Sequence, residues 1–429
     1  MTETLLARRA RLLGPNMSTF YDDPVHLVRG LGVTVWDAQG RDYLDCYNNV
    51  PHVGHCHPQV VRAICEQAAT LNTHTRYLHE GIVDYVEALT ATFGAGFDSA
   101  LLTCTGSEAN DVALRMAQAL TGKTGVIATD HTYHGNTAAV HQLSRTNPPP
   151  GGYAGNVAFV PAPDSYRPLG GEAGLAHGRA FAAEVAAQIT ALEATEHGFS
   201  TLILCPFFAN EGFPDLPRGW LDPTVEVVRR AGGVIVADEI QPGFGRLGTH
   251  FWGHERLGFV PDIVTIGKPM ANGHPVAAVI APQETMYGFR SAFRYFNTFG
   301  GNPVSCAAAM ATLKVVQDEG LMENARIVGD HARAGLRDLA ARHTCIGDVR
   351  GSGLFFGAEM VLDRDSKTPA AGFTRRVVNG MRDRGVLLNF LGIHGNVLKM
   401  RPPMVFSTAD ADRMLTALDE VLRVTPLEP

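Results

Sequence analysis

From about residue 57 to residue 305 the sequence alternates short, uninterrupted apolar runs with amphipathic ones, and this alternation leaves few folds open. The apolar runs fall at 100–104, 125–129, 157–161, 201–205, 233–238, 263–266 and 276–280; amphipathic runs at 107–120, 179–194 and 222–231 lie between several of them. Strands that are apolar on both faces must be covered on both faces, and strands joined through helices run parallel. The pattern therefore predicts an α/β chain with a mostly parallel sheet between helical layers. After a helix expected over 303–318 the texture changes. Helices at 321–342, 371–384 and 408–422, with strands near 346–350, 353–360, 386–389 and 397–401, describe a smaller α+β unit. The short strand-forming runs of the first fifty-odd residues need partners and are assigned to that unit. The reading is a large α/β domain over 57–305 and a small α+β domain made of 1–56 plus 306–429.

Composition narrows the function. With 429 residues, 45% of them hydrophobic, the chain can bury a large core. A net charge of −7 and the lack of a long basic run argue against nucleic acid or an anionic membrane as a main partner. The seven cysteines form no CxxC pair, which favours reduced thiols. No apolar run approaches the roughly 20 residues of a membrane helix. The opening "MTETLLARRARLLG" lacks the apolar centre of a signal peptide, so a cytoplasmic location is expected.

Two stretches imitate sites. "GFGRLG" (243–248) spells GxGxxG after a strand, but a dinucleotide fingerprint must open a helix, and Thr249 to Trp252 are poor helix starters. "HVGHCHP" (52–58) crowds three histidines and a cysteine without a second ligand cluster at a recognisable spacing. A structural turn, with no metal, is the expectation.

Ligands of open α/β sheets bind beyond the carboxyl ends of the strands. There "VIVADEIQPGFGR" (234–246) runs apolar and then turns acidic at Asp238, and "TIGKPMANG" (265–273) delivers Lys268. Of five lysines only Lys268 directly follows an apolar strand, fenced by Gly267 and Pro269 in an uncharged stretch. A lysine deprived of hydration loses basicity and becomes a nucleophilic amine; a snorkelling loop lysine is the plain alternative. "CTGSEAND" (104–111) sets Gly106 and Ser107 at a helix start, where free amides and the helix dipole favour phosphate. Ser107 as an ordinary N-cap is the alternative there. "DHTYHGNT" (130–137) offers Tyr133, and "FNTFGGNP" (296–303) offers Thr298 in a Gly-rich turn. An amine, a carboxylate, an aromatic cover and an anion cradle are the parts a pyridoxal phosphate site needs.

These segments, and the spacings between them, resemble the class III pyridoxal-phosphate aminotransferases of fold type I, over residues 23 to 422 or nearly so. The resemblance implies that Asp238 holds the cofactor's pyridine nitrogen, Ile240 packs under the ring and Gln241 contacts the phenolic oxygen. It implies that Lys268 is the Schiff-base lysine, Gly106 and Ser107 the phosphate cup, and Tyr133 the stacking aromatic. Thr298 would be a phosphate ligand donated by the second subunit of a homodimer with shared active sites. Arg401, in "LKMRPPM", matches the arginine that binds the substrate carboxylate. Many ω-aminotransferases pair it with a gate glutamate from a motif like "EPIQGEGG". Here that stretch is "CPFFANEG" (205–212): Cys205 replaces the first glutamate, Asn210 stands at the gate position, and Glu211 is one place away. A buried arginine without a counter-ion is costly, so Arg401 is expected to have a permanent anionic client.

Stretches 43–61, 71–80, 260–277 and 295–306 resemble the phospho-lyase branch of the family. That resemblance implies a small phosphorylated amine as substrate and elimination of phosphate from O-phosphoethanolamine, giving acetaldehyde, ammonia and phosphate. Arg401 would grip the substrate phosphate, with Arg76 as a second clamp. Arg76 as a surface or interface residue is equally open. So are a lyase acting on 5-phosphohydroxylysine and an ω-aminotransferase with an oxo-acid acceptor.

Overall fold

The computed structural model describes residues 4–15 and 17–428. Seven strands form one sheet, in spatial order Ser99–Thr103, Ala277–Ala281, Ile263–Ile266, Val234–Asp238, Phe199–Leu204, Gly125–Thr129 and Val157–Val160. Six of them run the same way; Ala277–Ala281 alone is antiparallel to both neighbours. Every residue of Val234–Asp238 and Ile263–Ile266 is buried, as an apolar run in a sheet covered on both faces requires. Side chains alternate between the faces. Val236 and Ile263 pack with Val112 and Met116 of the helix Gly106–Thr121. Ile235, Ala237 and Val264 face the other way, into a core with Phe181 and Val185 of the helix Gly174–Glu193.

Leu27–Leu31, Thr34–Asp37 and Asp42–Asp45 form a meander that is completed by Val386–Leu387, parallel to Asp42–Asp45. A further sheet orders Ile346–Ser352, Phe355–Asp363, Val397–Met400 and Asn389–Leu391. The single strand expected near 386–389 is thus two short strands in different sheets, because Val386–Leu387 closes the N-terminal meander while Asn389–Leu391 pairs with Val397–Met400. The helices Leu321–Arg342, Ala371–Asp383 and Thr408–Val424 contribute Leu336, Val377 and Leu418 to the same core that holds Trp220 and Trp252.

The two imitations are structural features. Gly243–Gly248 is a run of turns in which fully buried Arg246 donates to the carbonyls of Leu354 (3.0 Å) and Pro402 (2.6 Å). Of the crowded histidines, His52 bonds the Phe244 carbonyl, His55 meets Asp45 at 2.7 Å and His57 meets Glu319 at 3.2 Å, so they diverge. Among the described residues no helix is long and apolar enough to cross a membrane.

Candidate active site

The carboxyl ends of Ser99–Thr103, Gly125–Thr129, Phe199–Leu204, Val234–Asp238 and Ile263–Ile266 open onto one cavity. Gly106, Ser107, Tyr133, Asp238, Ile240, Gln241 and Lys268 line it, joined by His134, Gly135, Cys205 and Asn210. Arg401, Thr298 and Arg76 stand outside this lining.

Lys268 faces the cavity two residues past its strand. Burial drives its amine down from the usual lysine range to about 8; the charge of Arg401 pushes the same way, and Asp238 and Cys205 oppose it. The Asp238 carboxylate is held by three donors. Its Oδ1 accepts from the Ile240 amide (3.0 Å), and its Oδ2 from Asn110 Nδ2 (3.0 Å) and His134 Nδ1 (2.6 Å). With the His134 proton on Nδ1, Nε2 is left to accept from Thr132 Oγ1 at 3.0 Å. Asn110 is fixed in turn by Thr265 Oγ1, which donates to its Oδ1 at 2.6 Å. This oriented carboxylate, buried behind the cavity, can keep a heterocyclic nitrogen protonated.

The helix start is a close-fitting cradle. A Cβ on Gly106 would lie 2.5 Å from Ile240 Cδ1, and one on Gly135 would lie 2.5 Å from Ser107 Oγ, so only glycines let these segments approach. Ser107 is not the N-cap. Thr105 is, through a capping box in which its hydroxyl accepts from the Glu108 amide and Glu108 Oε2 accepts from the Thr105 amide. The Ser107 hydroxyl, relieved of capping, lines the cavity and accepts from the Asn136 amide at 3.1 Å.

On the opposite wall Gln241 Nε2 donates to Asn210 Oδ1 at 3.3 Å, while its Oε1 accepts from both Arg401 Nη1 and Lys399 Nζ. Arg401 is buried and also donates through Nε to the Tyr47 carbonyl at 3.1 Å. Its guanidinium also lies 4.7 Å over the Tyr47 ring, and among the described residues no carboxylate is hydrogen-bonded to it, Asp45 supporting its charge only at a distance. Burial lowers its basicity. Glu211 turns away from the cavity: its Oε1 accepts from Thr129 Oγ1 (2.6 Å) and its Oε2 from the Asn210 amide. Asn210, not Glu211, is the residue of this stretch that lines the cavity beside Cys205.

Arg76 and Thr298 are exposed. The Arg76 guanidinium lies 3.8 Å over the ring of Phe296, two residues before Thr298, and His74 stacks on Tyr77 beside them. Tyr77 (67% exposed) and Phe299 (71%) add exposed aromatic rings to this face.

Sequence reasoning missed His134, Asn110 and Lys399. Asn110 follows Gly106 by four residues on one helix, and Lys399 precedes Arg401 by two along a strand direction; both spacings put side chains on one face and were the available signals.

The model of the family described as aminotransferase class-III matches residues 18–422. A Drosophila melanogaster protein named alanine–glyoxylate aminotransferase 2-like is 40% identical over 98% of this chain and 87% of its own length. A Caenorhabditis elegans protein named ethanolamine-phosphate phospho-lyase homolog 1 is 37% identical over 98% and 93%. Among solved structures, a phospholyase from Arthrobacter in complex with phosphoethanolamine shares 42% identity and a TM-score of 0.94, covering 99% of this chain and 100% of that one.

Proposed function

We propose, for a chain that belongs to the class-III aminotransferase family, that the reaction is elimination of phosphate from O-phosphoethanolamine to acetaldehyde, ammonia and phosphate. The family is of fold type I and depends on pyridoxal 5′-phosphate. When bound, that cofactor supplies an electron sink for the charge left on the carbon bearing the substrate nitrogen. The cavity's residues fit it: a lysine of lowered basicity, a carboxylate aimed by three donors, and a cradle that a Cβ on Gly106 would fill. We assign the covalent attachment and the proton transfer to Lys268 Nζ and the pyridine nitrogen to Asp238. Ile240 would back the ring, Tyr133 would cover it, Gln241 would serve the phenolic oxygen, and Gly106 with Ser107 would hold the cofactor phosphate.

Arg401 is the observation that carries a lyase over a transaminase. An enzyme that takes an amine and an oxo acid in turn needs an arginine that can be neutralised when no carboxylate is present. Here the guanidinium is buried with no carboxylate hydrogen-bonded to it, Asp45 acting only at a distance, and we place Asn210 at the gate, an arrangement suited to a substrate that always brings its own anion. Arg401 Nη2 would hold the phosphate and stabilise the charge that develops as it leaves. The phosphoethanolamine in the Arthrobacter neighbour supports this substrate class. Elimination from 5-phosphohydroxylysine and transamination with an oxo acid are the other readings; the aminotransferase name of the Drosophila relative favours the second.

The same reading divides the chain into domains over 57–305 and 1–56 plus 306–429 and makes it a cytoplasmic homodimer. A second copy would cover the apolar surface around Tyr77 and Phe299 and receive Thr298 and Arg76 at its own cavity.

Arg401→Ala is expected to raise KM for phosphoethanolamine by about 10- to 100-fold, the worth of one lost charge-assisted hydrogen bond, with cofactor binding intact. Steady-state phosphate release measures this, and a variant with the parent's KM would remove Arg401 from the substrate site.

Lys268 also predicts a pH dependence. The reactive form is the free amine, so capture of pyridoxal phosphate by the cofactor-free protein should quicken as pH rises through about 8 and then level off. At pH 7 roughly a tenth of such an amine is free, against about one in three thousand of an ordinary lysine. Stopped-flow absorbance would show it; a rate still climbing tenfold per unit at pH 9.5 would mean that the amine is not perturbed.

A further inference from the structure

We propose that Lys399 is a positioning residue that locks Gln241 and Asn210 into the cavity wall and keeps Arg401 stationary, so restricting the site to one kind of anionic substrate. The proposal rests on the phospho-lyase reading above and extends it to what sets substrate choice.

Lys399 is 2% exposed, and its Nζ donates to the Ala209 carbonyl and to Gln241 Oε1, each at 3.2 Å. It thereby ties together two segments that line the cavity. The first carries Asn210 and is rigid in its own right. Phe208 (φ 47°) and Phe213 (φ 41°) flank it in the left-handed region, which bulky residues seldom adopt unless their surroundings over-determine it. Phe213 stacks on Phe207, Phe355 lies against both, and Arg350 Nε donates to the Gly212 carbonyl at 2.8 Å. The second segment carries Gln241, whose carboxamide could be turned either way round by its own chemistry. Lys399 and Arg401 both donate to its oxygen, which fixes that oxygen toward the cations and the Nε2 toward Asn210.

The consequence falls on Arg401. With Lys399 present, Gln241 Oε1 is an immobile acceptor that holds one arm of the guanidinium, while the Tyr47 carbonyl holds Nε. Without Lys399 the Gln241 oxygen loses one of its two donors, only the Asn210 contact and Arg401 itself still orient the carboxamide, and the hold on that arm of the arginine is loosened. The neighbouring carboxylate cannot take over, because Glu211 is committed to Thr129 and to the Asn210 amide. An arginine able to swing is what an enzyme alternating between two substrates requires; here the wall is built to stop it. The choice of lysine is not one that stability favours. Burial, with Arg401 and Lys268 close by, pushes its basicity well below the ordinary range, and Cys205 and the Glu211 carboxylate oppose this without reversing it.

The test compares the parent holoenzyme with Lys399→Met and with Lys399→Gln, which keeps an N–H donor. Three readouts are taken: KM and kcat for phosphoethanolamine, the rise in Tm caused by inorganic phosphate, and amino transfer from L-alanine to an oxo acid. In Lys399→Met, KM is expected to rise about tenfold with kcat changed less than about threefold, the effect of one lost hydrogen bond acting on binding. The phosphate concentration needed for a given Tm rise should increase about tenfold as well. Amino transfer from alanine should increase, and Lys399→Gln should recover most of the parent's KM. A folded Lys399→Met with the parent's KM, phosphate response and alanine rate overturns the proposal. If Lys399→Met does not fold, a Lys399→Gln that matches the parent in KM but shows increased alanine transfer overturns it equally. A parent that releases no phosphate from phosphoethanolamine would instead sink the phospho-lyase reading, whatever the variants do.

Discussion

Replacing Lys268 by alanine is expected to abolish covalent attachment of pyridoxal phosphate and to lower turnover on the order of 10⁴-fold, the upper end of what a positioned proton-transfer group contributes. Two losses coincide in this side chain. The amine that would be linked to the cofactor, held down to about 8 by burial, is also the base that we propose takes a proton from the substrate carbon. Intact mass after borohydride reduction separates linkage from rate: the parent should gain the reduced cofactor and the variant should not. The prediction is discriminating because a second buried amine is close by. Lys399 lies within electrostatic reach of Lys268, so a variant that still reduced to the adduct would point to Lys399 as the linked residue.

Asp238→Ala should produce the second large loss. Its carboxylate is buried at the end of Val234–Asp238 and accepts from Ile240, Asn110 and His134. Removing it would withdraw the charge that we propose keeps the cofactor's ring nitrogen protonated, and it leaves three donors unsatisfied at about 1–3 kcal/mol each where they stay buried. We expect exchange of the substrate's proton for deuterium to slow on the order of 10²–10³-fold, as when a preorganised electrostatic partner is removed. Because the alanine variant also loses stability, Asp238→Asn serves as the isosteric companion. Exchange at the parental rate in both variants would show that this carboxylate does not govern the chemistry.

The parts of this molecule that were legible in the sequence are those whose causes are local. Uninterrupted apolar runs at 125–129 and 263–266 mark buried parallel strands with those same bounds, since a strand covered on both faces needs no polar residue. Asp238 and Lys268 stood out because a charge at the end of such a run has few structural uses. Thr105 and Glu108 spell a capping box, so the capping alternative for Ser107 could have been dismissed from the sequence itself. Other features depend on tertiary neighbours. Lys399 reads as one polar residue in a strand, and only the approach of the Ala209 carbonyl and Gln241 makes it part of the wall. The Asn389–Leu391 strand separates from Val386–Leu387 because each finds its partner in a distant segment. Arg76 and Thr298 sit on the outside of the chain, where a single chain gives their side chains no site to serve.

Arg401, with no carboxylate hydrogen-bonded to it, and the Asn210 that we place at the gate are both asked to explain one outcome, phosphate expulsion without a second substrate. The most direct measurement supplies the holoenzyme with phosphoethanolamine as its only substrate, leaves out every oxo acid, and follows inorganic phosphate and acetaldehyde together. The account predicts that both accumulate in equal amounts over many turnovers and that added pyruvate leaves the rate unchanged. Turnover that depends strictly on pyruvate or 2-oxoglutarate, with an amino acid formed and no phosphate released, would contradict it.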